Sequence, residues 1–443
     1  MNTFARNISR RSFLKLPALL PLTAFDSAFH SGEHHFQYES VIGTSMDLVV
    51  WTRNSNLADY ARRVVFQEIN RLASILSTRD PASEISLLEH SDGRGQSHDL
   101  KEVLAAYDYW GRRTGGLFSI RPAGPNTPRN VDALGKAYII DQAAKALRQT
   151  SSAIDGFLLN IGGDIVVWGR SCEIAVADPD NWYDNAEPIS TISLRNAAIA
   201  TSGTYARGAH LSDGRNGQTV LAATAATVVA PDVVTANALA TTLCLTRADY
   251  GLRLVESTPG AEALRVAPGR LLQRTAGFAR LERPLSVRKA TPTDWPPGYQ
   301  LTVTLPLTRG RSKNRPYVAV WVEDSSGKLV RMLAFWGNNS KYFSDLSNAS
   351  RVLRQSQTQI RSVSRATRPA GKYELVWDGL DEQNKPAPLG TYRIVVETNQ
   401  EHGTYAKQGG TIILGDSPET ITLPATTNFD AVLVQYGPKQ NRP

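Results

Sequence analysis

The sequence contains 443 residues, more than one ordinary hydrophobic core holds, and it therefore predicts two domains. Hydrophobic residues make up 41% of the chain and charged residues 20%, a balance that excludes an intrinsically disordered protein. The formal net charge is +8, but the basic residues are scattered, and the densest group, at 309–315, has no interleaved aromatic side chains. We interpret that group as a solvated loop and expect no nucleic-acid partner.

The first 28 residues have the pattern of an export signal. Residues 9–15 form a twin-arginine motif, and the short apolar run Leu16–Ala24 follows it. That run is far below the roughly 20 residues that span a bilayer, so it predicts a signal peptide rather than an anchor. Small residues at 27–28 offer a cleavage site. We expect a periplasmic protein without a transmembrane segment; the alternative is a structural helix with two chance arginines.

Predicted strands and helices alternate from 36 to 282. Apolar residues recur at helical spacing between 57 and 75, which predicts a helix over 58–76 with one buried face, and the same spacing recurs over 103–110. This order predicts an α+β domain. Its other predicted elements are the strands Met46–Trp51, Phe157–Ile161, Ile165–Val167, Ile192–Leu194, Ala226–Val229 and Ala263–Val266, and the helix Val233–Leu245.

Residues 283–298 separate this domain from a second one. Four prolines in the segment oppose both helix and interior strand, which predicts a linker. From 299 to 443, short runs rich in Val, Ile, Tyr and Trp alternate with turn pairs such as Ser326-Gly327, which predicts an all-β sandwich. The predicted strands are Val303–Leu305, Val318–Val322, Leu329–Phe335, Tyr373–Trp377 and Tyr392–Glu397.

The two cysteines, Cys172 and Cys244, each lie in an apolar run. They can pair only if the fold brings their Cα atoms within roughly 7 Å. We expect two separate buried thiols, because cysteines in such runs behave as small hydrophobic residues.

Short polar and glycine-rich motifs are spread along the first domain in nine places. Each of them alone is weak evidence for function. They are Gly43–Met46; Leu76-Ser77-Thr78 with Ser83–Ser86; Gly115–Phe118; Ala133–Tyr138 with Asp141; Asn160–Asp164; Ala177-Asp178-Pro179; Ala200–Tyr205; His210–Gly217; and Asn237–Thr241.

Several of these residues suit a nucleotide site. Gly162-Gly163 and Gly203 would let the backbone approach a pyrophosphate closely, although a glycine pair is more often a simple hairpin turn. Asn237 and Thr241 are four residues apart on a predicted helix, so their oxygens share one face and could bind Mg²⁺. His210 precedes a polar, turn-rich segment and can accept a proton near neutral pH, although a structural histidine is the ordinary alternative.

Together, in this order, the nine motifs resemble the ApbE family of FAD:protein FMN transferases. The resemblance implies a T-fold-like α+β domain that binds FAD and Mg²⁺. It also implies the reaction: FMN is transferred from FAD to a threonine hydroxyl of an acceptor protein, and AMP is released. The expected acceptor is an exported or membrane-anchored protein that carries the flavinylated threonine.

The same resemblance assigns roles to residues position by position. His210 is the candidate base, and Lys136 lies by the phosphates. The Mg²⁺ ligands are Ala133 through its carbonyl, Asn237 and Thr241. The remaining positions expected to contact the flavin nucleotide are Met46, Arg79, Leu117, Phe118, Ser119, Asn130 and Leu211.

The sequence departs from the family pattern at some of these positions. Ser119, Asn130 and Asn237 stand where the family usually has aspartate, and Arg79 stands where a tyrosine is usual. Ala137 replaces a glycine, and the stretch between Phe118 and Lys136 is shorter than usual. An amide at 237 removes a full negative charge from a Mg²⁺ site, which predicts weaker metal binding.

The second domain resembles, over about 299–435, a family of periplasmic domains called DUF2271. The motifs that carry this resemblance are Tyr317–Asp324, Trp336-Gly337, Ser364–Arg368, Trp377-Asp378-Gly379, Gly390-Thr391-Tyr392, Glu397 and Glu401-His402-Gly403.

Three functions remain open from the sequence. The first is the FMN transferase. The second is a degenerate flavin-binding protein or partner scaffold without transferase activity. The third places the main role in the second domain, as an extracytoplasmic docking or adhesion module.

Overall fold

The computed structural model describes residues 32–438 except 89–94, 122–123, 125–126, 180–187, 204–210, 212, 219–221, 284–293, 310–314, 337–345, 356–363, 366–369, 384 and 401–402. The export signal and most of the predicted linker lie outside the described residues. So do His210 and the motif residues Thr204, Tyr205, Ser212, Gly337, Ala366, Thr367, Arg368, Glu401 and His402.

The first domain is built on an eight-stranded sheet in the order β1-β2-β3-β4-β7-β8-β9-β10, with antiparallel neighbours throughout. Its elements are β1 (Glu33–Val41), β2 (Thr44–Trp51), α1 (Ser55–Leu76), α2 (Glu84–Leu87), α3 (His98–Arg113), α4 (Asp132–Arg148), β3 (Gly156–Ile161), β4 (Asp164–Trp168), β5 (Cys172–Val176), β6 (Ser190–Leu194), β7 (Ala197–Gly203), β8 (Ala225–Ala230), α5 (Val233–Leu245), α6 (Ala248–Glu256), β9 (Glu262–Ala267), β10 (Leu271–Arg274) and α7 (Phe278–Leu281).

The helices α1, α4 and α5 cover one face of this sheet and form the main core with it. A two-stranded sheet of β5 and β6 contributes to a smaller core together with β4, β7, β8 and β9. Helix α5 contacts α4 as well as β7 and β8, so it is apolar on nearly every side. Polar residues on α5 are therefore the exception, and Asn237 and Thr241 are two of them.

The second domain contains two sheets with a shared core between them, as the sequence predicts for a sandwich. Their neighbouring strands are antiparallel, except that β13 and β14 are parallel. One sheet has the order β15-β11-β19-β18 and the other β14-β13-β12-β16-β17. The elements are β11 (Tyr299–Leu307), β12 (Tyr317–Asp324), β13 (Leu329–Trp336), α8 (Ser347–Gln355), β14 (Ser364–Arg365), β15 (Gly371–Trp377), β16 (Gly390–Asn399), β17 (Tyr405–Leu414), β18 (Glu419–Leu423) and β19 (Val432–Pro438).

The second domain also contains a helix that the sequence analysis did not predict. Helix α8 packs on the outer face of the five-stranded sheet, where it covers Tyr317, Trp321 and Phe335. The prediction of strands alone was therefore incomplete. The helix is only nine residues long and has a narrow apolar face within a polar sequence. A helix this short is stabilised mainly by packing on the sheet beneath it.

Two smaller expectations are settled by the geometry. Cys172 and Cys244 are both free, and Cys244 is buried, but Cys172 is only half-buried. Trp295, which the sequence places in the linker, packs edge-on against Trp377 and Tyr436 in the core of the second domain. No helix among the described residues is both long and apolar enough to cross a membrane.

Candidate functional site

Three polar side chains from three elements converge beside the sheet. Lys136 of α4 places its Nζ 2.9 Å from Oδ2 of Asp164, the first residue of β4. Asn237 of α5 donates its Nδ2 hydrogen to the same carboxylate oxygen at 3.5 Å. Asp164 is only 4% exposed, so its charge is held in the interior by these two partners. A buried carboxylate needs such partners, because desolvating an unpaired charge is very costly.

The side-chain oxygen of Asn237 has no hydrogen-bond partner within the described part of the chain, and this Oδ1 atom is buried. Buried side-chain oxygens are nearly always hydrogen-bonded or bound to an ion or water, so this atom points to a ligand. One turn along α5, the Thr241 hydroxyl lies 3.2 Å from the Ser202 hydroxyl of β7.

The turn between β3 and β4 passes close to the lysine amine. Gly162 has a φ of +61°, and a Cβ atom added there would lie 2.5 Å from the Thr44 hydroxyl oxygen and 3.1 Å from Lys136 Nζ. A side chain at 162 would therefore displace both groups, and the backbone angle also favours glycine. Next to it, the Gly163 N–H donates to Asn160 Oδ1 at 3.0 Å.

A second group of predicted residues lies where two loops meet. The Gly214 N–H donates to the Leu117 carbonyl at 3.0 Å, which joins the segment after the candidate base to the segment after α3. Asp213 is buried and forms an ion pair with Arg215, and the hydrogen bond from Arg215 lowers the pKa of the Asp213 carboxyl. Leu117 and Phe118 are buried, and Leu211 packs partly buried against the main core.

Two further predicted residues line the entry to α4. Asn130 is exposed, and its Oδ1 accepts from the Asp132 N–H at 2.8 Å, at the start of that helix. Ala133 is exposed in the first turn of α4, three residues before Lys136, so the two residues lie on one side of the helix. The Thr78 hydroxyl donates to Asp132 Oδ1 at 2.9 Å, which ties the segment after α1 to this point.

The structure does not gather every predicted residue into the Lys136–Asp164–Asn237 cluster. Met46 is fully buried in the core, and Arg79 is exposed in the turn after α1. Phe118 and Ser119 line a cleft of about 270 Å³ against α3, whose lining includes neither Lys136 nor Asn237. His210 lies outside the described residues, so its position relative to the cluster stays a prediction.

Asp164 is the residue that sequence reasoning missed as a site residue. It stands in the Asn160–Asp164 motif, directly after the two glycines. Aspartate is common next to turns, so its presence there does not by itself indicate a functional site. The signal that could have found it is a charged residue at the start of the otherwise apolar strand β4, where a carboxylate becomes buried. Its partners on α4 and α5 are distant in sequence, and only the tertiary packing shows them.

Comparisons with known proteins match two separate parts of the chain. Residues 120–265 match the model of the ApbE family, and residues 298–431 match that of a predicted periplasmic protein family, DUF2271. A protein of Treponema pallidum named FAD:protein FMN transferase is 24% identical over 217 residues. That match covers 43% of this chain and 59% of the relative, less than two thirds of the relative's length.

The solved structures that match this chain include two ApbE proteins. The ApbE protein of Thermotoga maritima has 19% identity and a TM-score of 0.49, and the match covers 57% of this chain and 99% of that one. The apo form of the flavinyl transferase ApbE from Pseudomonas stutzeri has 17% identity and a TM-score of 0.49, with 58% and 100% covered.

Proposed function

We propose that the first domain, which matches the ApbE family model over residues 120–265, is an FAD:protein FMN transferase. In the proposed reaction, FMN passes from FAD to a threonine hydroxyl of an exported acceptor protein, and AMP leaves. The threonine oxygen forms a new bond to the FMN phosphorus while the pyrophosphate P–O bond to AMP breaks. The hydroxyl proton passes to a base, for which His210 is the candidate.

The observation that carries the proposal is the Oδ1 atom of Asn237, which lies beside a buried charge pair and has no partner among the residues that the structure describes. A buried amide oxygen, a threonine hydroxyl one turn away and a helix carbonyl are hard oxygen donors of the kind that Mg²⁺ prefers. The described residues contain no cluster of three or more His, Cys, Asp or Glu side chains, so an acidic metal site of the usual kind is not found among them. In this proposal Asn237, Thr241 and the carbonyl of Ala133 would hold Mg²⁺, since each offers an oxygen ligand.

Each part of the chain has its own task in this proposal. Bound Mg²⁺ would neutralise charge that develops on the phosphates. Lys136 adds a fixed positive charge: its side chain is 20% exposed, and its amine carries three N–H donors, of which one can face Asp164. Leu117, Phe118 and Leu211 offer apolar surface to the flavin nucleotide. The Thr241 hydroxyl, which lies 3.2 Å from the Ser202 hydroxyl, offers the second side-chain oxygen of α5.

The proposed location is the periplasm, reached by the twin-arginine route. The DUF2271 model describes a predicted periplasmic protein, which supports the location of the second domain. The twin-arginine route carries folded proteins, which suits a protein that loads its nucleotide before export. The acceptor is then an exported or membrane-anchored protein.

A flavin-binding protein without transferase activity is the second candidate, and one observation favours it. Asn237 is neutral, and the one carboxylate of the cluster is already paired with Lys136. The cluster therefore offers Mg²⁺ less net negative charge than a site with two carboxylates.

AMP release from FAD by the purified mature protein separates the two candidates. We expect release that depends on Mg²⁺ and on an added acceptor bearing a threonine. His210→Ala should slow transfer strongly while leaving FAD affinity nearly unchanged, because a base acts in the transition state. FAD binding without AMP release at any Mg²⁺ concentration would leave the binding protein as the function, and absence of FAD binding would remove both.

A further inference from the structure

The buried cluster contains one carboxylate oxygen that serves two partners of different kinds. Oδ2 of Asp164 accepts from the charged Lys136 amine at 2.9 Å and faces the neutral Asn237 amide nitrogen at 3.5 Å. The two partners come from different helices that pack against each other, α4 and α5. The Asp164 side chain therefore contacts both the Lys136 ammonium group and the Asn237 amide.

The rotation of the amide decides what Asn237 can bind. An asparagine side chain has an oxygen acceptor on one side and a nitrogen donor on the other, and a half-turn exchanges them. Only a rotamer with Oδ1 turned towards the ion can ligate a cation. Because the nitrogen faces Asp164, the oxygen is left on the side without a partner among the described residues.

An aspartate at 237 would need no such help, since its two oxygens are equivalent. The asparagine needs a neighbour that attracts nitrogen and repels oxygen, and a buried carboxylate does both. We propose that Asp164 is a positioning residue that holds the Asn237 amide with its oxygen outward, so that this neutral side chain serves as a ligand for a divalent cation. The inference rests on the proposed function, since it concerns the same metal site.

Lys136 is required by this arrangement for a separate reason. Asp164 is 4% exposed, and a buried carboxylate that faces only an amide would carry an uncompensated charge. The lysine supplies the compensation, and the glycine at 162 leaves room for its amine.

The test is a set of Mg²⁺ titrations by calorimetry on the mature chain, with and without ADP as a pyrophosphate probe that cannot transfer FMN. Asp164→Ala should weaken Mg²⁺ binding about tenfold or more, as is typical when a partner that orients a metal ligand is lost. The same substitution should have little further effect in Asn237→Ala, where no amide remains. In Asn237→Asp, whose oxygens are equivalent, Asp164→Ala should cause no loss.

Asp99→Ala is the matched control. Asp99 also joins a cation and a neutral donor, since it accepts from Arg71 Nη1 at 2.7 Å and from the Tyr138 hydroxyl at 2.9 Å, but it is not part of the cluster. Its removal should lower the melting temperature and leave the Mg²⁺ affinity within about twofold. If Asp164→Ala does not fold, Asp164→Asn keeps the side-chain shape, and the same cycle is run with it.

The outcomes separate this inference from the proposed function. If Asp164→Ala weakens Mg²⁺ binding equally in the wild type, Asn237→Ala and Asn237→Asp, then Asp164 ligates the ion directly or has a general structural role. Either result would overturn the inference. No weakening in the wild-type background would overturn it as well. If Asp164→Ala weakens Mg²⁺ binding only in the wild-type background, and no AMP is released from FAD, the positioning role is supported and the transferase function is excluded. Absence of Mg²⁺ binding by the wild type, with or without ADP, would remove both.

Discussion

Position 237 shows how one atom changes the electrostatics of a buried site. The amide there is neutral, its nitrogen faces Asp164, and its oxygen is unpartnered among the described residues. An aspartate at this position would instead place a second carboxylate about 3.5 Å from the first. Like charges at that distance repel in the absence of a cation, and a carboxylate ligates a divalent ion more strongly than an amide does.

Asn237→Asp should therefore act in opposite directions on metal binding and on stability. We expect Mg²⁺ affinity to rise about tenfold, or ~1.4 kcal/mol, and the melting temperature without Mg²⁺ to fall. Calorimetry and thermal unfolding with and without Mg²⁺ measure both. Thr241→Ala should weaken Mg²⁺ binding, whereas its neighbour control Thr242→Ala, which loses a bond to the Ala238 carbonyl, should lower stability alone. Unchanged Mg²⁺ affinity in Asn237→Asp would contradict the metal site.

The reactivity of the two cysteine thiols is also a property of single residues and their surroundings. Burial raises the pKa of the Cys244 thiol to about 12, and burial together with the nearby Glu33 raises the pKa of Cys172 to about 11. A raised thiol pKa means that the folded protein holds the proton more tightly than the unfolded chain, so little thiolate is present at pH 8.

Iodoacetamide at pH 8 should therefore label both cysteines at least about ten times more slowly in the native protein than in the unfolded protein. Mass spectrometry of timed samples measures this. The protein in urea, where both pKa values return to their ordinary range, is the control. Rapid modification of Cys244 in the native protein would show that the interior around α5 opens readily.

At the scale of elements, α8 depends on a carboxylate beneath it. Glu397 of β16 is fully buried; its Oε2 accepts from the Ala349 N–H at 2.8 Å, and its Oε1 accepts from the Asn348 N–H and the Tyr405 hydroxyl. These N–H groups belong to the first turn of α8 and have no partner within the helix. A negative charge there also interacts favourably with the helix dipole.

Glu397→Gln should destabilise the second domain by about 2–3 kcal/mol, because a charged acceptor is lost and an amide N–H then faces backbone donors. Urea unfolding followed by tryptophan fluorescence measures the change. Glu419→Gln is the control: Glu419 also accepts one backbone N–H, that of Ile413, but it is only half-buried, so its replacement should cost less. Equal costs for both substitutions would mean that Glu397 has no special role under α8.

At the scale of the whole molecule, the described residues on each side of 284–293 attach to different cores. The Arg283 N–H donates to the Thr191 carbonyl of the first domain at 2.7 Å, and Trp295 packs in the core of the second. The sequence between them is rich in proline and contains trypsin sites at Arg288 and Lys289.

Brief digestion with trypsin should cut first at Arg288 or Lys289 and leave two stable fragments, because few contacts are expected to cross a proline-rich linker. Mass spectrometry identifies the cut. Chymotrypsin provides a comparison, since Trp295 should be protected by its packing. Early cleavage inside either sheet would contradict two independent domains.

Export is a further property of the whole chain. Changing Arg10 and Arg11 to lysine should leave the precursor in the cytoplasm, because the twin-arginine route reads that pair. Fractionation of cells that express each form measures the distribution. A change of Lys15 to arginine, which keeps the pair, is the control and should export normally. Unchanged export of the double-lysine form would exclude this route.

The sequence by itself determined the elements whose patterns are long and regular. Helical spacing over 58–76 and 103–110 and the apolar run Val233–Leu245 correspond to α1, α3 and α5, and the predicted strands correspond to strands of the two domains. The α+β class and the β-sandwich followed from their order. The local patterns were sufficient there because each of these elements buries a face whose period is written in the sequence.

Only the tertiary structure decided which residues meet. Lys136, Asp164 and Asn237 are separated by 28 and 73 residues along the chain, and their convergence depends on the packing of α4 and α5 over the turn between β3 and β4. Helix α8 and the strands β17 to β19 likewise lack strong local patterns and are stabilised by long-range pairing. The physical reason is that propensity and periodicity act over a few residues, whereas the position of a buried charge depends on every element packed around it.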